Sequence, residues 1–488
     1  MKPLALVLAA AAFVLAATAN SGGYRYGVSD QAFYATAVVK DLKPALFPRD
    51  TRLLDVESKL MWADEIVAGV VRATGGAQPS VYLWLYLASL VLLFAGAVAF
   101  GRAAGLSWWA IAALLALLTF RHRISKTGAN SLEGYMHPRM IAFAFGIVAL
   151  AAVARGRHIQ SGLWTLVIAC WHPTTAVWFG VVVGVATLVD RPAWRRWTVA
   201  GVALASGIAA WAVLSGPLAG RLAIMDADWL RVLAVKDYLF PHEWPLYAWA
   251  TNLAYPVIVW AIYRRRVALG RTAPGELGLV AGFAAIAIVF LISFPLTMLR
   301  VALAVQLQVT RVFWLLDFAV AAYLAWWLFD DRMVRRAVRM VALGLLVAAS
   351  VGRGAFLLSQ DRRLFSPTLS DTPWVEAMTW LRDQPSTWHL LADPGHAWKY
   401  GVSARLAAEK DTLVEAGKDS ALSIYDRDIA MAVDDRLAAL NDYERLSTAD
   451  MSALAGRYNL DIAVVETKHR LEFPELYRNA QFVIYKLR

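Results

Sequence analysis

Asp30 is the first residue in the chain placed to do chemistry. It stands in YGVSDQAFY, about ten residues after the first long apolar run, among Tyr24, Tyr26, Phe33 and Tyr34. Aromatic neighbours lower the local dielectric and tune a carboxyl group. Asp41, Asp50 and Asp55 follow in the same polar segment, and Asp41 and Asp55 read as acids on the surface of amphipathic helices. The next polar segment, RHRISKTGANSLEGYMHPR, is denser. Arg121, His122, Arg123 and Lys126 cluster at its start, and Glu133, His137 and Arg139 close it. Arginine offers paired donors that match a phosphate. Headgroup contact by snorkelling side chains is the plainer alternative.

Other groups are sparser. His172-Pro173 interrupts an apolar stretch; a histidine there either bonds a neighbouring loop or faces a cavity. Asp226-Ala-Asp228 has the D-x-D spacing able to hold a divalent metal, although helix surface explains it better. Asp237, His242 and Glu243 follow among aromatics. Arg311, in RVALAVQLQVTR, lies at a membrane border without a nearby acid and is costly there unless it meets an anion. No Walker A motif, H-E-x-x-H or C-x-x-C is present, and no cluster demands a metal, so a divalent ion is left open. Cys170 is the single cysteine, which excludes an intrachain disulfide.

These residues need positioning by membrane helices. Of 488 residues 59% are hydrophobic and only 17% charged, far from a soluble composition. Eleven apolar segments suit a bilayer crossing of about 18–25 residues, several of them short: roughly 3–20, 80–100, 106–120, 140–154, 160–171, 174–190, 197–214, 244–263, 276–296, 308–329 and 338–358. The first fits a signal peptide or a span; the charge signs favour the span. Pro173 breaks 160–190 into a hairpin.

Arginines cluster at every second gap: Arg155/Arg157, Arg191/Arg195/Arg196, Arg264/Arg265/Arg266 and Arg332/Arg335/Arg336. Cytoplasmic loops carry such an excess. The N-terminus therefore faces the cytoplasm of a plasma (inner) membrane. Segments 21–79, 121–139, 215–243 and 297–307, the His172-Pro173 turn and residues 359–488 face the other side. Arg121 and Arg123 are then an exception to the positive-inside pattern that calls for an anionic ligand. The net charge of +11 divides into +15 for residues 1–358 and −4 for 359–488. The basic excess belongs to the membrane part, and no nucleic-acid motif accompanies it.

The expected fold is an all-α polytopic membrane domain, 1–358, with amphipathic helices in its outer loop 21–79. A small α/β extracytoplasmic domain, 359–488, follows. In the tail, Trp388–Ala392, Ile462–Glu466 and Phe482–Lys486 read as strands. Pro373–Asp383, Ile429–Leu440 and Thr448–Tyr458 read as helices.

With Asp30, the FPRD segment ending at Asp50, the HPR element His137–Arg139, the His172-Pro173 turn and the tail, the chain resembles the GT-C superfamily of integral-membrane glycosyltransferases. Where protein mannosyltransferases of that superfamily carry an acidic pair in the first loop, this chain has Asp30-Gln31. The resemblance implies a polyprenyl-phosphate hexose or pentose as donor and a glycan, lipid or protein as acceptor. It makes Asp30 the general base. Arg139, with Arg121, Arg123 or Arg311, neutralises the leaving phosphate, His172 positions a substrate, and the anomeric centre inverts. Two readings compete. A transporter or flippase should show inverted repeats and charges at mid-membrane, and no repeat is visible. A non-catalytic membrane protein with a partner-binding outer domain would have no need of acids and aromatics in its first loop.

Overall fold

The computed structural model describes residues 3–331 and 333–488; Lys2 and Arg332 lie outside them. All eleven apolar segments fold as helices: α1 (Pro3–Asn20), α5 (Gln78–Ala103), α6 (Trp108–Leu118), α7 (Pro138–Ala154), α8 (His158–Trp171), α9 (Pro173–Asp190), α10 (Arg195–Leu214), α12 (Leu246–Ala268), α13 (Glu276–Met298), α15 (Val312–Asp330) and α16 (Arg336–Leu358). Between them lie α2 (Asp30–Leu42), α3 (Thr51–Ser58), α4 (Ala63–Thr74), α11 (Ala227–Leu233) and α14 (Ala302–Gln306). Among the described residues, seven helical stretches are long and apolar enough to cross a membrane: α1, α5, α9, Pro192–Leu214, α13, Ala302–Asp330 and α16. This is the composition of a multi-pass membrane protein. α6 and α7 are as apolar but only 11 and 17 residues long.

Helix exposure follows from position in the bundle. α7 packs against α5, α8, α9 and α13; it is buried almost throughout, and its Phe143 stacks on Trp314 of α15 at 4.0 Å between centroids. α10 buries none of its residues and exposes Trp197, Leu204, Ile208 and Trp211. A helix so apolar and so uncovered suits lipid as solvent. The expected span 308–329 starts four residues late because Gln308 adopts φ +46°, which separates α14 from α15. The arginine-rich end of the bundle is pinned by ion pairs. Arg266, fully buried, holds Glu276 at 2.5 and 3.0 Å, and Arg265 holds Asp331 at 2.9 Å.

The tail contains α17 (Pro373–Arg382), α18 (His396–Lys399), α19 (Ala404–Ala408), α20 (Ala416–Leu422), α21 (Arg427–Ala439) and α22 (Thr448–Tyr458). Its sheet comprises β3 (Leu390–Leu391), β4 (Ile462–Glu466), β5 (Glu475–Arg478) and β6 (Phe482–Lys486), in the order β3-β4-β6-β5. β3 and β4 are parallel, and β6 lies antiparallel between β4 and β5. Two of the expected strands match in full; the first shrinks to two residues, and β5 was not foreseen. α22 opens at Thr448 as expected, capped by a capping box of Ser447 and Asp450.

The boundary at residue 358 is a change of composition rather than a gap. β1 (Tyr24–Arg25) pairs in parallel with β2 (Phe365–Ser366). Gly23 lies so close to this seam that a Cβ would strike the carbonyl of Arg363, and its φ is +84°, a conformation open to glycine. The tail thus packs directly on the segment that follows α1.

Candidate functional site

Asp30 is the first residue of α2, where a carboxylate meets the positive end of the helix. Ser29 before it has φ +53° and ψ −134°, a strained conformation of the kind that collects at functional sites. The turn is held by Gln31, fully buried, whose Oε1 accepts from Gly27 N at 2.7 Å and whose amide donates to Met136 O at 3.4 Å. Gln31 therefore ties the first loop to the HPR loop.

Two His-Pro dipeptides do matching work. Proline suits the first helical position because the N–H it lacks would be unpaired there. His137 caps α7 through Nδ1, which accepts from Arg139 N at 3.2 Å, and His172 caps α9 by accepting from Thr175 N at 3.2 Å. With Nδ1 accepting, each neutral ring carries its proton on Nε2. The Nε2 of His137 stands 3.6 Å from Asp30, and its ring lies 5.0 Å from that of Tyr34. Burial, reinforced by Arg139, pushes His137 down to about 3. Burial and the charges of His137, Arg311 and Arg139 push His172 well below the usual imidazole range.

Arg139, in the first turn of α7, is held by Glu133 at 2.5 Å and lies 4.0 Å from Asp30. Glu133, with no exposed surface, also accepts from Arg121 at 3.3 Å and Asn130 at 3.2 Å. It therefore orients arginines. Burial alone would raise the Asp30 carboxyl, but Lys418, hydrogen-bonded to it, together with His137 and Arg139, holds it well below the usual carboxylate range. It is a carboxylate at neutral pH.

Asp30, Tyr34, Glu57, His137, Arg139 and Arg311, with Lys418 and Tyr425 of the tail, line one cavity of about 100 Å³. Arg139 Nε and Arg311 Nε are buried there without a hydrogen-bond partner. Among the described residues the Arg311 guanidinium makes no ion pair at all. Glu57, Gln308, Arg311 and Tyr425 also line a second cavity of about 360 Å³. That one is mostly apolar and runs past His172, Val177, Ala212 and Leu303, between α9, α10 and α14.

The structure thus brings Asp30, His137 and Arg139 to one wall and joins Arg311 to them, with Glu133 directly behind. His172 lies one step away, its ring 6.4 Å from that of His137, on the apolar groove. Arg121 and Arg123 line wider hollows beyond Asp30. Asp50 and His242 line none of these four cavities among the described residues. Asp50 accepts from Arg405 Nε at 2.7 Å and Thr412 N at 3.0 Å, so it docks the tail rather than a substrate. His242 sits in a turn beside Phe240 and Glu243. Asp226 caps α11 and Asp228 pairs with Arg231, the helix surface expected of the D-x-D spacing. The sequence reading missed Glu57, Lys418, Tyr238 and Tyr425. Burial pushes Glu57 up, the hydroxyl of Tyr34 at 3.0 Å offsets part of this, and the Asp30 charge adds to it.

Asp41, Asp64 and Glu65 gather at the far end of α2, their ligand atoms within 4.8 Å of one another. Burial and the Glu65 carboxyl push Asp64 up to about 8.

No family model matches the chain, and no curated protein matches it by sequence. Among solved structures it is similar to an archaeal oligosaccharyltransferase, AglB from Archaeoglobus fulgidus, in complex with an inhibitory peptide and a dolichol-phosphate. The two are 11% identical over 95% of this chain and 69% of that one, with a TM-score of 0.41. At that score the likeness assigns neither family nor activity to this chain.

Proposed function

We propose that this protein is a membrane glycosyltransferase that moves a sugar from a polyprenyl-phosphate donor to an acceptor on the non-cytoplasmic face of the membrane. One observation carries the reading. A carboxylate and two arginines with unpartnered buried nitrogens face a single small cavity that shares a wall with an apolar groove between membrane helices. An isoprenoid chain fits the groove, and its phosphate fits Arg311 and Arg139.

The chemistry follows from the placement. The acceptor hydroxyl attacks the anomeric carbon as the bond from that carbon to the phosphate oxygen breaks. The bonding pair leaves on the phosphate, where Arg139 and Arg311 offset the growing charge without reorganising. Asp30 takes the hydroxyl proton. As an ionised, weakly basic carboxylate it acts late, when the hydroxyl has become acidic through bonding to the sugar. Lys418 must swing off Asp30 to admit the hydroxyl. Attack opposite the leaving phosphate inverts the anomeric centre. His137, neutral, aims a proton at Asp30 and keeps it in place. A flippase would need a polar path across the bundle; here the ionisable groups that line the cavity gather at the end opposite the Arg266–Glu276 pair.

Transfer from labelled polyprenyl-phosphate sugars by the reconstituted protein tests the reading. Asp30→Asn should lower it by at least about 100-fold, the usual worth of a general base, with expression and melting temperature unchanged; transfer within tenfold of wild type would sink the assignment.

A further inference from the structure

Beyond Asp30 the site widens into two hollows of about 720 and 370 Å³ that share Arg121, Arg123, Trp398 and Lys418. The larger shares Asp30, Arg139 and Lys418 with the central cavity, and neither shares a residue with the apolar groove. This is the side from which an acceptor approaches. Seven basic side chains and three carboxylates line the pair.

All three carboxylates are already engaged: Asp30 by Lys418, Glu133 by Arg121 and Arg139, and Asp237 by Lys126. Arg25, Arg123 and Lys236 have no carboxylate within 4.0 Å among the described residues. Lys236 donates only to the carbonyl of Gly417, at 3.3 Å. The cations press on one another. Burial and then Arg362 and Arg121 lower Arg25; burial and then Lys418 lower Lys236. Like charges held together in a recess attract an anion and steer it inward. At the rim Trp398 is 76% exposed, a broad apolar plate beside the cationic wall.

We propose that the acceptor is an anionic saccharide. Its acidic groups rest on Arg25, Arg123 and Lys236, one ring face lies on Trp398, and a hydroxyl reaches Asp30. The inference rests on the glycosyltransferase reading and names the substrate class of the same site. The negative charge can belong to a soluble acidic glycan or to a phosphorylated glycolipid, and the wall serves both alike.

Binding separates this claim from catalysis, because it needs neither donor nor Asp30. The full chain in nanodiscs is titrated with hexagalacturonate and with neutral maltohexaose, and in a second arm lipid A is added to the disc as a competitor. Hexagalacturonate should bind at least tenfold tighter than maltohexaose, weaken as salt rises, and lose about tenfold in the Arg123→Gln/Lys236→Gln double variant. Displacement of bound hexagalacturonate by lipid A assigns the charge to a glycolipid; hexagalacturonate binding that lipid A leaves unchanged assigns it to a soluble glycan. Trp398→Ala should weaken whichever probe binds. Equal affinity for the neutral probe, or unchanged binding in the double variant, overturns the proposal. Full transfer by Asp30→Asn alongside intact anionic binding would instead overturn the catalytic reading alone.

Discussion

Replacing Arg405 by methionine tests how the tail is held on the site. The Arg405 side chain is 3% exposed and pairs with Asp50 at 2.7 Å, Asp419 at 3.1 Å and Glu415 at 3.6 Å. Each of those carboxylates is itself buried. Arg405→Met keeps the bulk of the stem and leaves three acids facing one another without their cation. Breaking a buried pair from one side costs about 3–5 kcal/mol. The cost should appear locally, because Glu415 and Asp419 belong to the start of α20, the helix that carries Lys418 to Asp30. At 1.4 kcal/mol per decade, amide exchange across Ala416–Leu422 should accelerate by about 100- to 1000-fold or more. Strand β6, separated from the cluster by β3 and β4, should change little. Asp50→Asn should do the same more weakly, about 1–3 kcal/mol, since one charged hydrogen bond is weakened. Hydrogen exchange read by mass spectrometry on the full chain in detergent gives both numbers. Protection of α20 in Arg405→Met within tenfold of wild type would refute the reasoning and return Asp50 to the substrate site.

Other outcomes follow from the same geometry. His137 holds a folded pKa of about 3 against an ordinary 6.5, so between those values the unfolded chain binds a proton that the folded one refuses. Stability should fall as pH drops below 6.5, by about 1.4 kcal/mol per unit. His137→Asn, which keeps a capping oxygen but cannot titrate, should make the fall of melting temperature between pH 7 and 5 shallower, with His172 supplying the part that remains. Lys418→Met removes the cation that does most to keep Asp30 ionised; the acid limb of the transfer–pH profile should move to higher pH, and an unmoved limb would uncouple Lys418 from Asp30. A Cβ at Gly146 would run into the ring of Phe179. Gly146→Ala should therefore cost about 1–3 kcal/mol by overpacking α7 against α9, measured as a lowered melting temperature.

The helices were legible in the sequence because lipid leaves a long apolar run few alternatives. Their ends were less so: the delayed start of α15 turns on one left-handed residue, Gln308. Asp30, His137 and Arg139 could be found because ionisable groups are conspicuous in loops between apolar spans. Glu57 and Lys418 could not, since charges are ordinary on amphipathic and soluble helices and only folding shows which face the cavity. Asp50 looked like a substrate-binding group for want of its true partner, Arg405, which lies 355 positions further along the chain.

The parallel seam between Tyr24–Arg25 and Phe365–Ser366 joins the chain just past its first membrane helix to the chain just past its last. A ribosome must deliver every membrane helix before that seam can close, and α20 comes later still. The pocket thus exists only once α20 has been made. Chains terminated before α20 lack part of the cavity wall, and closing so long a loop is an expected slow step in maturation.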